Sequence, residues 1–157
     1  YFKNKQDIVA ECTARCVDER LERLRVVVRD ESLGACEKLR RYALELVDDS
    51  HELTEADSMM GELVDAVTRD RPDLLHSKFA VHYDLIAEIL ESGKASGDFR
   101  VADVRSTAQY IFAAFAIFDV PLFVGLYERR EFEDRAAGVV DLLINGLARP
   151  DSPEPLT

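Results

Sequence analysis

Apolar residues recur at spacings of three and four along almost the whole chain, which is the pattern of amphipathic α-helices. No segment alternates with a period of two for long enough to predict a strand. The pattern therefore predicts an all-α fold. Six helices are expected, over residues 5–29, 33–47, 54–67, 72–92, 103–127 and 131–147.

Several residues predict where these helices begin and end. Pro72 suits a first helical turn, where its missing N–H leaves no bond unmade, and Asp103 suits an N-cap. Residues 48–52 are polar and predict a break after the second helix. Residues 93–97 are bounded by glycines and predict a loop, and residues 150–157 hold three prolines and predict a non-helical tail.

The fifth predicted helix is apolar on all sides between Tyr110 and Tyr127. Its length approaches the roughly 20 residues of a membrane span. Asp119 and Pro121 interrupt it, however, so we expect no membrane association and a helix covered partly by a second copy of the chain. Helices five and six are then predicted to form a four-helix bundle across a two-fold axis. The predicted interface residues are Phe118, Leu122, Phe123, Leu126, Phe132, Val139, Leu143 and Leu147.

Composition narrows the class of protein. The 157 residues carry a net charge of −11 and are 47% apolar, which indicates one folded domain and argues against a nucleic-acid reader in this chain as it stands. The charge is uneven, since residues 1–41 hold ten basic and eight acidic side chains and the acidic excess follows them. Three cysteines favour a reducing, cytoplasmic compartment over a disulfide framework.

Motifs for catalysis are missing from the sequence: it has no glycine-rich phosphate loop, no His-Glu-x-x-His and no Gly-x-Ser-x-Gly. We therefore expect no enzyme, no cofactor and no metal. Cys12 and Cys16 could reach one metal, but they lie on an apolar stripe and lack a second ligand pair. The acidic and histidine side chains of residues 48–52 could also bind a cation, although a polar loop is the preferred interpretation.

Three predicted helices each carry one polar group on an apolar face: Tyr42, His82 and Asp119. Buried polar groups need partners, so these could pair with one another, pair across a dimer, or anchor a ligand in an otherwise apolar cavity. For Met59 and Met60, core packing is the preferred role, although a pair of thioethers also suits an adaptable pocket. The candidate ligand-binding residues are Tyr42, Leu46, Met59, Met60, Leu63, Phe79, His82, Ile86, Phe112, Phe115 and Asp119.

Three segments, in order, resemble the TetR (tetracycline-repressor-like) family of regulators. Residues 1–9, Tyr-Phe-Lys-Asn-Lys-Gln-Asp-Ile-Val, resemble the junction between the recognition helix and the long connecting helix. Residues 91–100 are similar to the glycine-rich turn between the seventh and eighth helices. Residues 142–149 are similar to the end of the last helix.

The resemblance implies a division of the chain. Residues 1–5 would be the remnant of an N-terminal helix-turn-helix domain, residues 6–149 the ligand-binding and dimerisation domain, and residues 150–157 a flexible tail. It also implies that Tyr1, Lys3 and Lys5 contact the DNA backbone.

On this resemblance, the chain is the sensing part of a homodimeric regulator, a repressor, that binds operator DNA through the N-terminal domain. A small, largely apolar ligand would act through the first helix to lower DNA affinity. An anionic ligand would fit poorly beside Asp119 unless that group were paired or protonated. Two alternatives stay open: a helical carrier of apolar ligands without a DNA role, and an enzyme that uses His82 and Asp119 as an acid–base pair.

Overall fold

The computed structural model describes residues 18–56, 72–119 and 121–147. Helix α1 covers residues 18–29 of this range. It is followed by α2 (Ala35–Ala56), α3 (Pro72–Ser96), α4 (Val104–Asp119), a 3₁₀ helix (Pro121–Leu126) and α5 (Arg129–Leu147). No β-strand occurs within the described ranges, and the predicted all-α class is confirmed.

Three predicted boundaries are confirmed. Helix α1 ends at residue 29, and the chain then turns where the Asp30 carboxylate accepts bonds from the Ser32 backbone N–H at 2.9 Å and hydroxyl at 2.6 Å. Pro72 is the first residue of α3. Asp103 caps α4, because its Oδ1 accepts the Ser106 N–H at 3.1 Å.

The predicted break at residues 48–52 is wrong, since α2 continues through them to Ala56. Their polar side chains form hydrogen bonds or ion pairs with neighbouring elements or with the helix itself. These residues can therefore be helical without leaving their polar groups unpartnered. The Ser50 hydroxyl donates to the Phe118 carbonyl at 2.6 Å, and His51 Nδ1 donates to the Val47 carbonyl at 2.9 Å. Asp49 forms ion pairs with side chains of α1.

The predicted loop at residues 93–97 is also wrong, because α3 continues to Ser96 and turns at Gly97, whose φ of 84° suits glycine. Gly93 lies inside the helix for a packing reason. A Cβ there would meet the ring of the buried Phe99 at 2.1 Å. Farther along, the Arg100 N–H donates to the Leu147 carbonyl at 2.8 Å and ties this connection to the end of α5.

The fifth predicted helix is shorter than expected. Helix α4 ends at Asp119, and a 3₁₀ helix begins at Pro121, which cannot donate a backbone bond and disfavours helical geometry in the residue before it. Helix α4 is also not buried on all sides, because Tyr110 is 72% exposed. None of the helices in the described ranges has the length and apolarity needed to cross a bilayer.

Helix α2 lies at the centre of the fold and contacts α3, α4, the 3₁₀ helix and α5. Its Leu39, Tyr42, Ala43, Leu46 and Val47 are fully buried. The predicted start of the third helix at residue 54 is wrong, because residues 54–56 belong to α2; the rest of that helix and the tail lie outside the described residues. The same holds for the expected site residues Tyr1, Lys3, Lys5, Met59, Met60 and Leu63, for Cys12 and Cys16, and for the side chain of Leu122.

Candidate functional site: a polar cluster inside the helical core

The Tyr42 hydroxyl and His82 Nδ1 lie 2.7 Å apart and join α2 to α3 inside the core. Both side chains are buried, and His82 is 1% exposed. The His82 ring stacks on Phe112 with 4.6 Å between centroids, while Tyr42 stacks on Phe115 at 6.3 Å. His82 Nε2 has no hydrogen-bond partner among the described residues.

Burial sets the protonation of this pair. It lowers the pKa of His82 from 6.5 to about 4, although the nearby Asp119 carboxylate acts in the opposite direction. Burial, with a contribution from Asp119, raises the pKa of Tyr42 well above its ordinary value of 10. At neutral pH the histidine is therefore uncharged and the tyrosine keeps its proton.

Asp119 closes α4 and is held by two cations from other helices. Its Oδ2 accepts from Lys78 Nζ at 2.8 Å, and its Oδ1 accepts from an Arg20 guanidinium nitrogen at 3.2 Å. Burial opposes ionisation of this carboxyl, but Lys78, His82 and Arg20 outweigh that effect and lower the pKa of Asp119. Asp119 is consequently a paired carboxylate, one of the arrangements that the sequence left open.

Arg20 of α1 also faces Asp49 of α2. Arg20 Nε and Asp49 Oδ2 are 3.2 Å apart, which is an ion-pair distance without hydrogen-bond geometry, so neither atom has a hydrogen-bond partner among the described residues. The other Asp49 oxygen accepts from Arg23, also on α1. Arg20 thereby connects α1 to both α2 and α4 within the core.

A cavity of about 10 Å³ lies in this cluster, which is close to the space that one water-sized group needs. Its walls combine apolar residues with charged and polar ones: Arg20, Leu21, Leu24, Leu46, Asp49, Lys78, His82 and Asp119. Three atoms on these side chains have no hydrogen-bond partner in the described part of the chain: Arg20 Nε, Asp49 Oδ2 and His82 Nε2.

The structure brings most of the described ligand-binding candidates around this cluster. Leu46, His82 and Asp119 line the cavity, and Tyr42 and Phe112 contact His82. The others are farther from the cavity. Phe115 stacks on Tyr42, the Phe79 ring lies 5.3 Å from that of Phe112, and Ile86 is buried in the surrounding core.

Sequence reasoning missed the charged residues Arg20, Asp49 and Lys78, although helical spacing could have found them. Arg20 precedes Leu24 by four residues, Asp49 follows Leu46 by three, and Lys78 precedes His82 by four. Residues at these spacings share a helix face.

A second feature is an open groove of about 350 Å³ along α4 and α5. The buried rings of Phe118 and Phe132, with 5.2 Å between centroids, form its floor. Because both are covered by their own chain, a partner would meet only the rim around them. The groove is lined by Ile117, Phe118, Tyr127, Phe132, Arg135, Gly138, Val139 and Leu142.

The other described interface candidates differ in exposure. Leu126 is 64% exposed, Phe123, Val139 and Leu143 are half-buried, and Leu147 is buried. Sequence analysis missed Leu142, which is 75% exposed beside the groove. No group of three or more His, Cys, Asp or Glu within the described ranges could hold a metal ion.

Comparison with known proteins agrees with the helical architecture. The family described as "Tetracyclin repressor-like, C-terminal domain" matches residues 35–140, which include the described parts of α2, α3 and α4 and most of α5. No curated protein matches the chain, and no solved structure does. Because the family match covers about two thirds of the sequence, the chain belongs to the tetracyclin repressor-like C-terminal domain family.

Proposed function

We propose that this chain is the small-molecule-sensing and dimerisation part of a ligand-responsive, DNA-binding transcriptional regulator, acting as a repressor in the cytoplasm. One observation carries the proposal. His82 and Asp119 line a cavity in the core, Tyr42 is hydrogen-bonded to His82, and Arg20 attaches α1 to that same cluster. Membership of the family supports it.

Helix α1 is the route by which a ligand would act. In the resemblance described above it is the helix that connects sensor and DNA reader, and Arg20 holds it to Asp49 and Asp119 through buried ion pairs. A ligand group that competes for these partners changes the free energy of α1 in its present position. This is a coupling free energy between two sites, provided that the two positions of α1 bind the ligand differently.

The size of the cavity limits the ligand. At about 10 Å³ it accepts one small polar group, so the remaining, largely apolar part of the ligand requires displacement of core side chains. Asp119 is already paired with Lys78 and Arg20, so a neutral ligand disturbs the balance of charge least. We therefore propose a neutral, mainly apolar ligand with one polar group.

A binding role is favoured over acid–base catalysis by the protonation of the two candidate residues. His82 and Asp119 line one cavity, as an acid–base pair would require. With the pKa of His82 at about 4 and that of Asp119 lowered, both lack a transferable proton at neutral pH. A general acid needs a pKa nearer the working pH.

We further propose that the groove along α4 and α5 meets the same groove of a second copy. Ile117 and Leu142 are exposed apolar residues that line it, and the exposed Leu126 precedes the lining residue Tyr127 in the chain. A two-fold axis would place each such residue opposite an equivalent surface, and apolar patches of this kind mark association sites. The DNA-backbone roles of Tyr1, Lys3 and Lys5 stay predictions.

The full-length gene product tests the function, on a DNA fragment from upstream of its own gene. Displacement of the neutral dye N-phenyl-1-naphthylamine identifies ligands, and each is then added to the protein–DNA complex. We expect ligands that displace the dye to weaken DNA binding in the wild type and in His76→Gln, an exposed control on α3. His82→Gln should lose the ligand response.

Two results would contradict the proposal. Ligand binding with unchanged DNA affinity, or no DNA binding by the full-length product, would favour the carrier. Unchanged ligand affinity in both His82→Gln and Asp119→Asn would remove the polar cluster as the sensing site.

A further inference from the structure

The three unpartnered atoms at the cavity have definable hydrogen-bonding roles. Arg20 Nε carries a hydrogen and donates, and Asp49 Oδ2 accepts. The role of His82 Nε2 follows from Tyr42. Among the described residues the Tyr42 hydroxyl is bonded to His82 Nδ1 alone, so its hydrogen is satisfied only when Nδ1 accepts it. A neutral imidazole that accepts at Nδ1 carries its hydrogen on Nε2, which therefore donates.

The residues that line the cavity thus carry two unpartnered donors, Arg20 Nε and His82 Nε2, and one unpartnered acceptor, Asp49 Oδ2. All three side chains are more than nine-tenths buried, so bulk water does not satisfy them. Unpartnered buried polar atoms are costly, which favours any group that bonds all three. The group must accept twice and donate once, and it must fit about 10 Å³.

A hydroxyl oxygen has this capacity, since it holds two acceptor lone pairs and one hydrogen. We propose that the cavity is a binding site for a single hydroxyl oxygen, which accepts from His82 Nε2 and Arg20 Nε and donates to Asp49 Oδ2. Ether and ketone oxygens accept but cannot donate, and an ammonium group donates but cannot accept. The site therefore selects an alcohol or a water molecule over other neutral oxygen compounds.

This inference rests on the proposed function only in assigning the hydroxyl to the sensed ligand. The bonding pattern itself concerns residues of the core and involves no DNA. A regulator that senses its ligand elsewhere would leave the site in place, and a protein without a DNA role could still bind an alcohol here. Failure of one proposal is therefore distinguishable from failure of the other.

Long-range ¹H–¹⁵N spectra of histidine side chains at pH 7 provide the first test, in the unmodified protein. We expect His82 to carry its hydrogen on Nε2. A hydrogen on Nδ1 would leave the cavity with one donor and overturn the proposal, independently of any variant.

A pair of isomers provides the second test. We expect 1-butanol to shift the methyl resonances of Leu24 and Leu46, which line the cavity, in a saturable manner. Methyl propyl ether has the same atoms but no hydroxyl hydrogen, and we expect its apparent affinity to be at least about tenfold weaker. Equal responses to the two compounds would contradict a hydroxyl site.

The same samples show whether the bound oxygen belongs to an alcohol or to a water molecule. If butanol shifts nothing while the His82 Nε2 hydrogen shows a cross-relaxation peak to a bound water, the hydroxyl site stands and water is its occupant. If neither signal appears, the proposal fails.

A matched pair of variants separates the site from general effects on the fold. His82→Phe keeps a ring against Phe112 but removes one of the two donors, and we expect it to weaken the binding of butanol and of the ether alike, because both oxygens accept from His82 Nε2. His51→Phe is the control, because His51 is also buried but lies outside the cavity lining. Unchanged affinity for butanol in His82→Phe would overturn the role of His82.

Discussion

Tyr42 and His82 are 40 residues apart in the sequence, and a 2.7 Å hydrogen bond joins them inside the core. The bond holds α2 and α3 together through two side chains that are almost completely buried. It also leaves Nε2 as the unpartnered nitrogen of His82 among the described residues, so a contact that stabilises the fold sets the chemistry of the candidate site.

Removal of this bond should destabilise the protein. In Tyr42→Phe, His82 Nδ1 loses its partner within the core, and we expect a loss of about 1–3 kcal/mol in the free energy of unfolding. Urea unfolding followed by circular dichroism measures it. Tyr110→Phe is the matched control on the exposed face of α4, and we expect no measurable change there. A similar effect in both variants would show that the buried bond contributes little.

Acid should destabilise the protein through His82. Its pKa is 6.5 when exposed and about 4 in the fold, so between these values the unfolded chain binds a proton that the folded chain does not. Stability therefore falls as the pH drops from 7 to 4, by about 3 kcal/mol from this group.

The variant His82→Gln should lack this contribution. Below pH 4 the lowered pKa of Asp119 adds a separate loss, because its pairing with Lys78 and Arg20 ends when the carboxyl is protonated. The free energies of unfolding of wild type and His82→Gln, measured by urea unfolding, should approach each other as the pH falls from 7 to 4. A constant difference between the two free energies over this pH range would contradict the prediction that His82 is buried and neutral.

Neutralising Asp119 should remove the carboxylate that pairs with both Lys78 and Arg20, while Arg20 keeps its ion pair with Asp49. Asp119→Asn keeps the shape of the side chain but removes the charge that balances Lys78 and Arg20, and we expect a loss of about 3 kcal/mol. Asp48→Asn breaks the solvent-exposed ion pair with Arg129 instead, and we expect it to lower the free energy of unfolding by about 1 kcal/mol or less. Equal losses, measured by urea unfolding, would mean that burial of the Asp119 cluster does not matter.

A charge in the groove should weaken the proposed dimer. Leu142→Asp places a carboxylate beside the buried rings of Phe118 and Phe132, and two-fold symmetry applies the change twice. We expect the dissociation constant to rise at least about tenfold in light-scattering measurements at micromolar concentration. Val26→Asp alters an exposed apolar residue of α1 outside the groove and should have no effect. A dimer that survives Leu142→Asp would place the interface elsewhere.

Helical spacing was sufficient to predict the fold class and some of the buried polar residues, because both follow from the positions of apolar residues along single helices. Tyr42, His82 and Asp119 were recognised as polar positions on apolar faces, and all three are buried. Their partners were not predicted. Arg20 and Asp119 are 99 residues apart, and the spacing within either helix contains no information about which helices meet.

The errors in the helix boundaries have the same origin. Residues 48–52 are polar, and local composition predicts a loop, yet Ser50 and Asp49 have partners on other elements that compensate their burial. The glycine at position 93 similarly accommodates Phe99, a contact that arises only when the chain has turned back on itself. Tertiary contacts overrode local preference at both places.

The sensor and the DNA-binding part of the proposed regulator should respond differently to salt, because the ion pairs among Arg20, Asp49, Lys78 and Asp119 lie in the core. Mobile ions screen exposed charges but reach buried pairs poorly. Contacts to DNA phosphates, in contrast, weaken steeply as salt rises. Ionic strength would therefore control how tightly the regulator holds its operator while leaving almost unchanged the ligand concentration at which its sensor is half-occupied.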